Sequence, residues 1–220
     1  MSSGFIPVKT QKFLQVNGQM DEKYSEIYEH VRRVLGKDGS HGMDHIGRVT
    51  RLCEIIGKRE HAAMDILVPA ALLHDIARPL EKEQGIPHET EGAKIAGEYL
   101  ASITYDPSSI REIKDAIRTH RYRSAEKPRT LEARILSDAD KLDAMGAFGI
   151  ARTFMRAAEY GGSIDDAIFH FHDKLLKLNE HMYTLTGREI AKKRHAVLIS
   201  FLSNLNEELD ILRYKPGIIE

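Results

Sequence analysis

Apolar residues recur at helical spacing along almost the whole chain. Tyr24, Ile27, Tyr28, Val31, Val34 and Leu35 step by three and four, and Gly36 follows as a stop signal. Ile46, Val49, Leu52, Cys53 and Ile56 form a second stripe, entered from the loop Lys37-Asp38-Gly39-Ser40, with Asp44 as its expected cap. From Asp65 to Ala77 the chain is apolar nearly all round, which predicts a buried central helix. Pro69 is tolerable there only in a first turn. Ile95, Ala96, Tyr99, Leu100 and Ile103 predict a fourth helix. Asp106-Pro107 is a cap and first residue for a fifth, carrying Ile110, Ile113 and Ile117.

Pro128 and Thr130 open a segment through Leu136, and Ala139 to Tyr160 reads as a further helical stretch with Gly146 and Gly149 inside it. Gly161-Gly162 end that stretch and Ser163 caps the next. Ile164, Ile168, Phe171, Leu175, Leu178 and Met182 then step by four and three without a miss. Thr186-Gly187 is expected to break the chain before a last helix carrying Ile190, Val197, Leu198, Phe201, Leu205, Leu209 and Leu212. No useful segment alternates with period two. The expectation is an all-α, compact multi-helix bundle: one domain over residues 1–220, its core at 25–160, with two long C-terminal helices over 163–213. The stripe at 164–182 serves as core or as the seam of a homodimer, and core is the preferred reading.

Charge narrows the function. Against 33 Asp and Glu stand 32 Lys and Arg, a formal net charge of −1. A protein dedicated to long nucleic acid shows a basic excess, and none is present. No polybasic anchor, signal-peptide core or run of ~18 apolar residues points to a membrane. The one cysteine, Cys53, forms no internal disulfide, so a reducing cytoplasm is the expected setting. The 11 histidines are the unusual feature.

His74-Asp75 ends the most apolar helix. Burying an imidazole and a carboxylate there costs several kcal/mol unless something pairs them. A divalent cation does so, and so does a mutual hydrogen bond. His41 and His45 are four apart, but the glycines at 39 and 42 put His41 in the loop, while His45 lies on the apolar stripe and points inward. Asp138, Asp140 and Asp143 surround Lys141 between apolar positions. Each feature alone has a structural explanation. Together, His45, His74-Asp75 and Asp140 stand at the inward edge of three expected helices.

That order, with the strings Asp44-His45-Ile46-Gly47-Arg48-Val49, Ala71-Leu72-Leu73-His74-Asp75-Ile76 and Asp138-Ala139-Asp140-Lys141-Leu142-Asp143-Ala144, resembles the HD-domain superfamily of metal-dependent phosphohydrolases. The likeness is to a branch acting on small nucleotides and covers residues 25–160. It implies His45, His74, Asp75 and Asp140 as metal ligands, with Asp138 the poorer substitute for Asp140. It implies a divalent ion (Mn, Fe, Co, Ni or Zn, with Mg less suited), one per chain, and Asp75 and Lys141 as catalytic residues. Lys141, Arg48 and Arg78 are the phosphate-binding cations expected beside it. His88 and His120 fill the places of a second metal pair or bind phosphate, and His41 faces the same pocket. Where some nucleotidases of this kind carry Glu four residues after the HD histidine, this chain has Arg78, which suits a more anionic substrate.

The resulting expectation is a metal-dependent phosphohydrolase acting on a small nucleotide or related phosphate ester. The main alternative is a sensor module that keeps the site without turnover. A metallopeptidase built on His41, Asp44 and His45 is disfavoured by the glycines around His41.

Overall fold

The computed structural model describes residues 22–35 and 42–213. Among the described residues there are helices and no strand. The order is α1 (Glu22–Leu35), α2 (Met43–Glu60), α3 (Met64–Leu73), α4 (Arg78–Gln84), α5 (His88–Ser102), α6 (Pro107–Thr119), α7 (Leu131–Asp143), α8 (Gly146–Glu159), α9 (Ile164–Asp173), a 3₁₀ helix (Leu175–His181) and α10 (Leu185–Arg213). The stop at Gly36, the loop at 37–40 and the placement of His41 lie outside the described residues. No helix among the described residues is long and apolar enough to cross a membrane.

The centre is α3. Every residue from Ile66 to Leu73 is buried, and the helix packs against α1, α2, α6 and α7. Each Leu or Ile so enclosed contributes about 1.5–3 kcal/mol. Pro69 lies in the second turn of α3, not the first. Its ring removes the donor for the Asp65 carbonyl, and the Tyr105 hydroxyl donates to that oxygen at 2.7 Å instead. Asp106 caps α6 and Ser163 caps α9 through their side chains, as expected. Asp44 is not the cap of α2. Gly42 holds that position and Asp44 sits in the first turn, where its charge suits the helix dipole.

Several boundaries differ from the sequence expectation. The helix from Thr130 runs past Leu136 to Asp143, and the break falls at Gly146, whose φ of +70° favours glycine. The stretch from 139 to 160 is therefore two helices. A short helix, α4, follows the His74-Asp75 turn unannounced. The stripe from Ile164 to Met182 is not one helix, because Lys174 leaves helical geometry (φ −128°, ψ −57°) and the chain continues as the 3₁₀ helix. Only α10 of the C-terminal pair is long. The stripe itself is core: Ala167, Phe171, Leu175, Leu178 and Met182 are buried.

Thr186-Gly187 does not break the chain either. The Thr184 hydroxyl accepts from the Gly187 amide, and α10 starts two residues before the glycine. Gly187 is needed because α10 presses its backbone onto α7. A Cβ there would lie 2.5 Å from Asp138 Oδ2 and 2.7 Å from Thr184 Oγ1. Gly187→Ala is expected to cost about 1–3 kcal/mol through overpacking. A thermal melt followed by circular dichroism checks this, and an unchanged Tm would refute the packing argument.

Candidate metal centre

His45 lies on α2, His74 caps the C-terminus of α3, Asp75 is on the turn that follows, and Asp140 lies on α7. His88 opens α5 and His120 ends α6. Helix packing thus brings residues from five helices to one point. His45, His74, Asp75, His88 and His120 are all buried. Asp140 is the partly open member, with its side chain 22% exposed.

The outer nitrogen of each imidazole is already committed. His74 Nδ1 lies 2.8 Å from the Ala71 carbonyl and His120 Nδ1 lies 2.6 Å from the Ile117 carbonyl. A carbonyl only accepts, so both nitrogens carry the proton. His45 Nδ1 meets the Asp143 carboxylate at 2.7 Å, and His88 Nδ1 meets Glu81 at 3.0 Å. In the neutral ring the Nε2 atoms therefore present lone pairs, and all four point inward. His45 Nε2 and His74 Nε2 stand 3.2 Å apart. His45 Nε2 is 3.4 Å from Asp75 Oδ2 and 3.5 Å from Asp140 Oδ1. On the other side of Asp75, His88 Nε2 and His120 Nε2 lie 3.3 and 3.8 Å from Oδ1, and neither nitrogen has a hydrogen-bond partner among the described residues.

Acceptors face acceptors across this pocket, an arrangement that costs free energy until something positive enters it. The fit to a divalent cation is direct: His45, His74 and Asp140 offer donor atoms close enough to share one ion, and so do His74, Asp75 and His120. Two imidazoles with carboxylates suit first-row transition ions better than Mg²⁺. The local field says the same. Burial and the Arg152 charge oppose a proton on His45, yet its bonds to Asp143 and Asp75 raise its pKa above the usual histidine value. Desolvation opposes charge on Asp140, but His120, His45 and His74 hold its carboxyl well below the usual range. Burial pushes His74 down to about 4 and lowers His88 and His120.

A second layer braces the first. Asp143 takes His45, a bidentate Arg48 at 2.7 and 3.0 Å, and Arg152 at 2.6 Å. Arg48 also lies over the Phe148 ring. So Arg48, expected at the phosphate, is spent behind His45. Arg78 does lie at the pocket, but it is engaged there: Nε donates to Asp75 Oδ1 at 2.8 Å and Nη1 to Glu81 at 2.7 Å. Burial works the other way, but His88 and Arg78 hold the Glu81 carboxyl down to about 2.

Lys141 departs most from expectation. One residue along a helix turns by about 100°, so it cannot share the direction of Asp140. Its ammonium pairs with Asp138 at 3.1 Å, donates to the His181 carbonyl and covers the Tyr183 ring. Asp138 is also fully occupied, accepting from the amides of Tyr183 and Thr184 and from the Thr184 hydroxyl. It latches α10 to α7 and has no lone pair to spare for the centre.

The sequence presents Asp143 only as one of three acids around Lys141, and it singles out none of Glu81, Arg152 and Lys174. Asp143 had a signal, since it lies three after Asp140 on the same helical face. Glu81 had none beyond an ordinary polar helix. Lys174 had none, because it lies where an unbroken helix was expected. It has no ion pair among the described residues, and burial lowers its pKa. The charges that act on it are Asp140, which attracts, and Arg156, Arg78 and Arg121, which repel.

An all-α bundle folded around buried, converging imidazoles and carboxylates defines a class built to hold a cation. The HD domain model matches residues 42–145. Over 204 residues the chain is 32% identical to YpgQ, an uncharacterized protein of Bacillus subtilis strain 168, covering 88% of this chain and 94% of that one. The chain belongs to the HD-domain superfamily. Its fold is similar to that of a predicted HD superfamily hydrolase from an uncultured Thermotogales bacterium (33% identity, 84% of this chain and 91% of that one, TM-score 0.65). It is also similar to B. subtilis YpgQ in complex with ADP (30% identity, 89% and 96%, TM-score 0.69).

The neighbouring acids of α7 are expected to separate by assay. Asp140→Ala should abolish stoichiometric metal in elemental analysis while leaving the helical circular dichroism intact. Asp138→Ala should keep the metal but lose about 3–5 kcal/mol, because Lys141 is left buried without its counter-ion. The reverse pattern would reassign the ligand. Asp143→Asn is expected to weaken metal affinity by about 10–100-fold, read by competition with a chromogenic chelator.

Proposed function

We propose that this protein is a divalent-metal-dependent phosphohydrolase whose substrate is a nucleotide or a closely related small phosphate ester. The observation that carries the reading is the convergence of four Nε2 atoms on Asp75 and Asp140. In this reading His45, His74, Asp75 and Asp140 hold the ion. When bound, the ion supplies an acidified water and positive charge against the phosphoryl oxygens.

The chain's own groups do the rest. Asp143 fixes the His45 tautomer by taking the Nδ1 proton in a hydrogen bond, which turns Nε2 to the ion. Arg78 fixes the Asp75 carboxylate so that both of its oxygens stay aimed inward. Lys174, which has no ion pair among the described residues and feels the attraction of Asp140, receives substrate phosphate, whereas Arg121 is tied to Glu81 and Glu89. That charge favours a nucleoside di- or triphosphate over a singly charged ester. The ADP complex of YpgQ supports a nucleotide as the ligand class. Lys141 keeps no catalytic role here, since its ammonium is bound to Asp138.

A second reading, two ions per chain, is favoured by one observation: the buried, unpartnered Nε2 atoms of His88 and His120 on the far side of Asp75. With a single ion, those nitrogens are neutral bases placed to accept a proton from the attacking water. Metal stoichiometry by native mass spectrometry separates the two.

The deciding experiment is a phosphate- and pyrophosphate-release screen of nucleotides and simple esters with each divalent metal. Turnover is expected with Mn²⁺, Co²⁺ or Ni²⁺, and its loss after chelation. Asp75→Ala should lower kcat/KM at least about 10³-fold, while Lys174→Ala should raise KM about tenfold for polyphosphates. Tight nucleotide binding with no product under any metal would leave a silent sensor instead.

A further inference from the structure

Helix α7 has two working faces. Asp140 and Asp143 look into the metal centre. Ser137 and Lys141 lie roughly 110° around the helix from them, by the rotation of 3.6 residues per turn. They line a separate open cleft of about 350 Å³, whose other walls are the chain after α6 and the 3₁₀ helix and its flanks. That volume falls in the range of small-molecule sites.

Its charges are unbalanced. Four cationic side chains line it, Arg123, Lys127, Lys141 and Lys177, against one acid, Asp173. Asp173 is taken by Arg123 at 2.8 Å. Lys141 is neutralised from behind by Asp138. Lys127 and Lys177 have no ion pair among the described residues, and both stand exposed at the rim. The walls also carry aromatic rings. Tyr122 sits edge-on to His181 at 5.3 Å, and Tyr183 has one face covered by the Lys141 ammonium. Two exposed ammoniums beside two tyrosine rings suit an anion that carries a flat ring. An inorganic anion would leave the rings unused, and an extended nucleic acid meets a molecule with no basic excess.

We propose that this cavity is a second nucleotide-binding site, distinct from the metal centre, with Lys127 and Lys177 pairing the phosphates and Tyr122 and Tyr183 contacting the base. Helix α7 is the wall between the two sites, so occupancy of this one does not require the metal. Asp173, at its edge, directly precedes Lys174, which links the cavity to the charges of the metal centre along the chain.

The test uses the full chain treated with chelator and then titrated calorimetrically with ADP, and separately with inorganic phosphate. Chelated wild type is expected to bind ADP at one site. Lys127→Glu with Lys177→Glu should weaken that binding about tenfold or more, and Tyr122→Ala should weaken ADP but not phosphate. In the metal-loaded protein, the double variant should hydrolyse a small ester lacking a base within about twofold of wild type. No ADP binding by the chelated protein would overturn the proposal, because the nucleotide then seats only at the metal centre. So would wild-type affinity in the double variant, or loss of small-ester turnover, which would move the two lysines to the reacting phosphate. The titrations of the chelated protein do not depend on whether the metal centre hydrolyses phosphate esters, so failure of that reading and failure of this one are told apart.

Discussion

The structure turns on a set of buried acceptors that have no donor among themselves. Each of four histidines gives its Nδ1 proton to an outer carbonyl or carboxylate, and each therefore faces inward with a lone pair. Asp75 and Asp140 add carboxylate oxygens to the same space. Such a cluster is destabilising in an apolar interior until a cation enters. It is tolerated because the elements around it are over-determined: the residues of α3 from Ile66 to Leu73 are all buried, and the carbonyls of Ala71 and Ile117, each three residues before its histidine on the same helix, stand where His74 and His120 need them. Stability of the bundle and affinity for a cation are coupled through the same few bonds.

The outer bonds explain why charged residues near the centre divide into two groups. Arg48, Arg78 and Arg152 are structural in effect, each committed to a carboxylate that aims a ligand. Asp143 alone gathers His45, Arg48 and Arg152, so one carboxylate sets the ring orientation of His45 and offsets two partly buried guanidinium groups. Lys174 belongs to the other group. It is half-buried, has no ion pair among the described residues and is set among like charges, which is costly unless an anion completes it. Phosphate is such an anion, which is why the proposed function gives this residue to the substrate; the helix breaks at Lys174 itself.

Helix α7 shows how one segment serves separate purposes. Asp138 ties α10 to the bundle, Asp140 enters the metal centre, Lys141 lines the neighbouring cavity and Asp143 braces His45. The four residues are nearly consecutive and share a composition. A rotation of about 100° per residue sends them to different environments. Gly187 is the price of this economy on the facing helix, since no side chain fits between α10 and Asp138.

Much of this was legible in the chain itself. The apolar stripes marked the helices, Asp106 and Ser163 marked two starts, and the all-polar exceptions at His45, His74, Asp75 and Asp140 stood out because they interrupt stripes that otherwise go to the core. Their order is also what the family resemblance rested on. The breaks at Gly146 and Lys174 were not legible, because the apolar spacing continues through both and only packing against α10 and the rest of the core decides where the chain must turn. Nor were the directions of Lys141 and Arg48, or the reach of Glu81 to His88. Sequence spacing determines which residues of one helix share a face. Which face meets which neighbour is decided by how the helices roll against one another when the core closes, and that is a property of the tertiary structure alone.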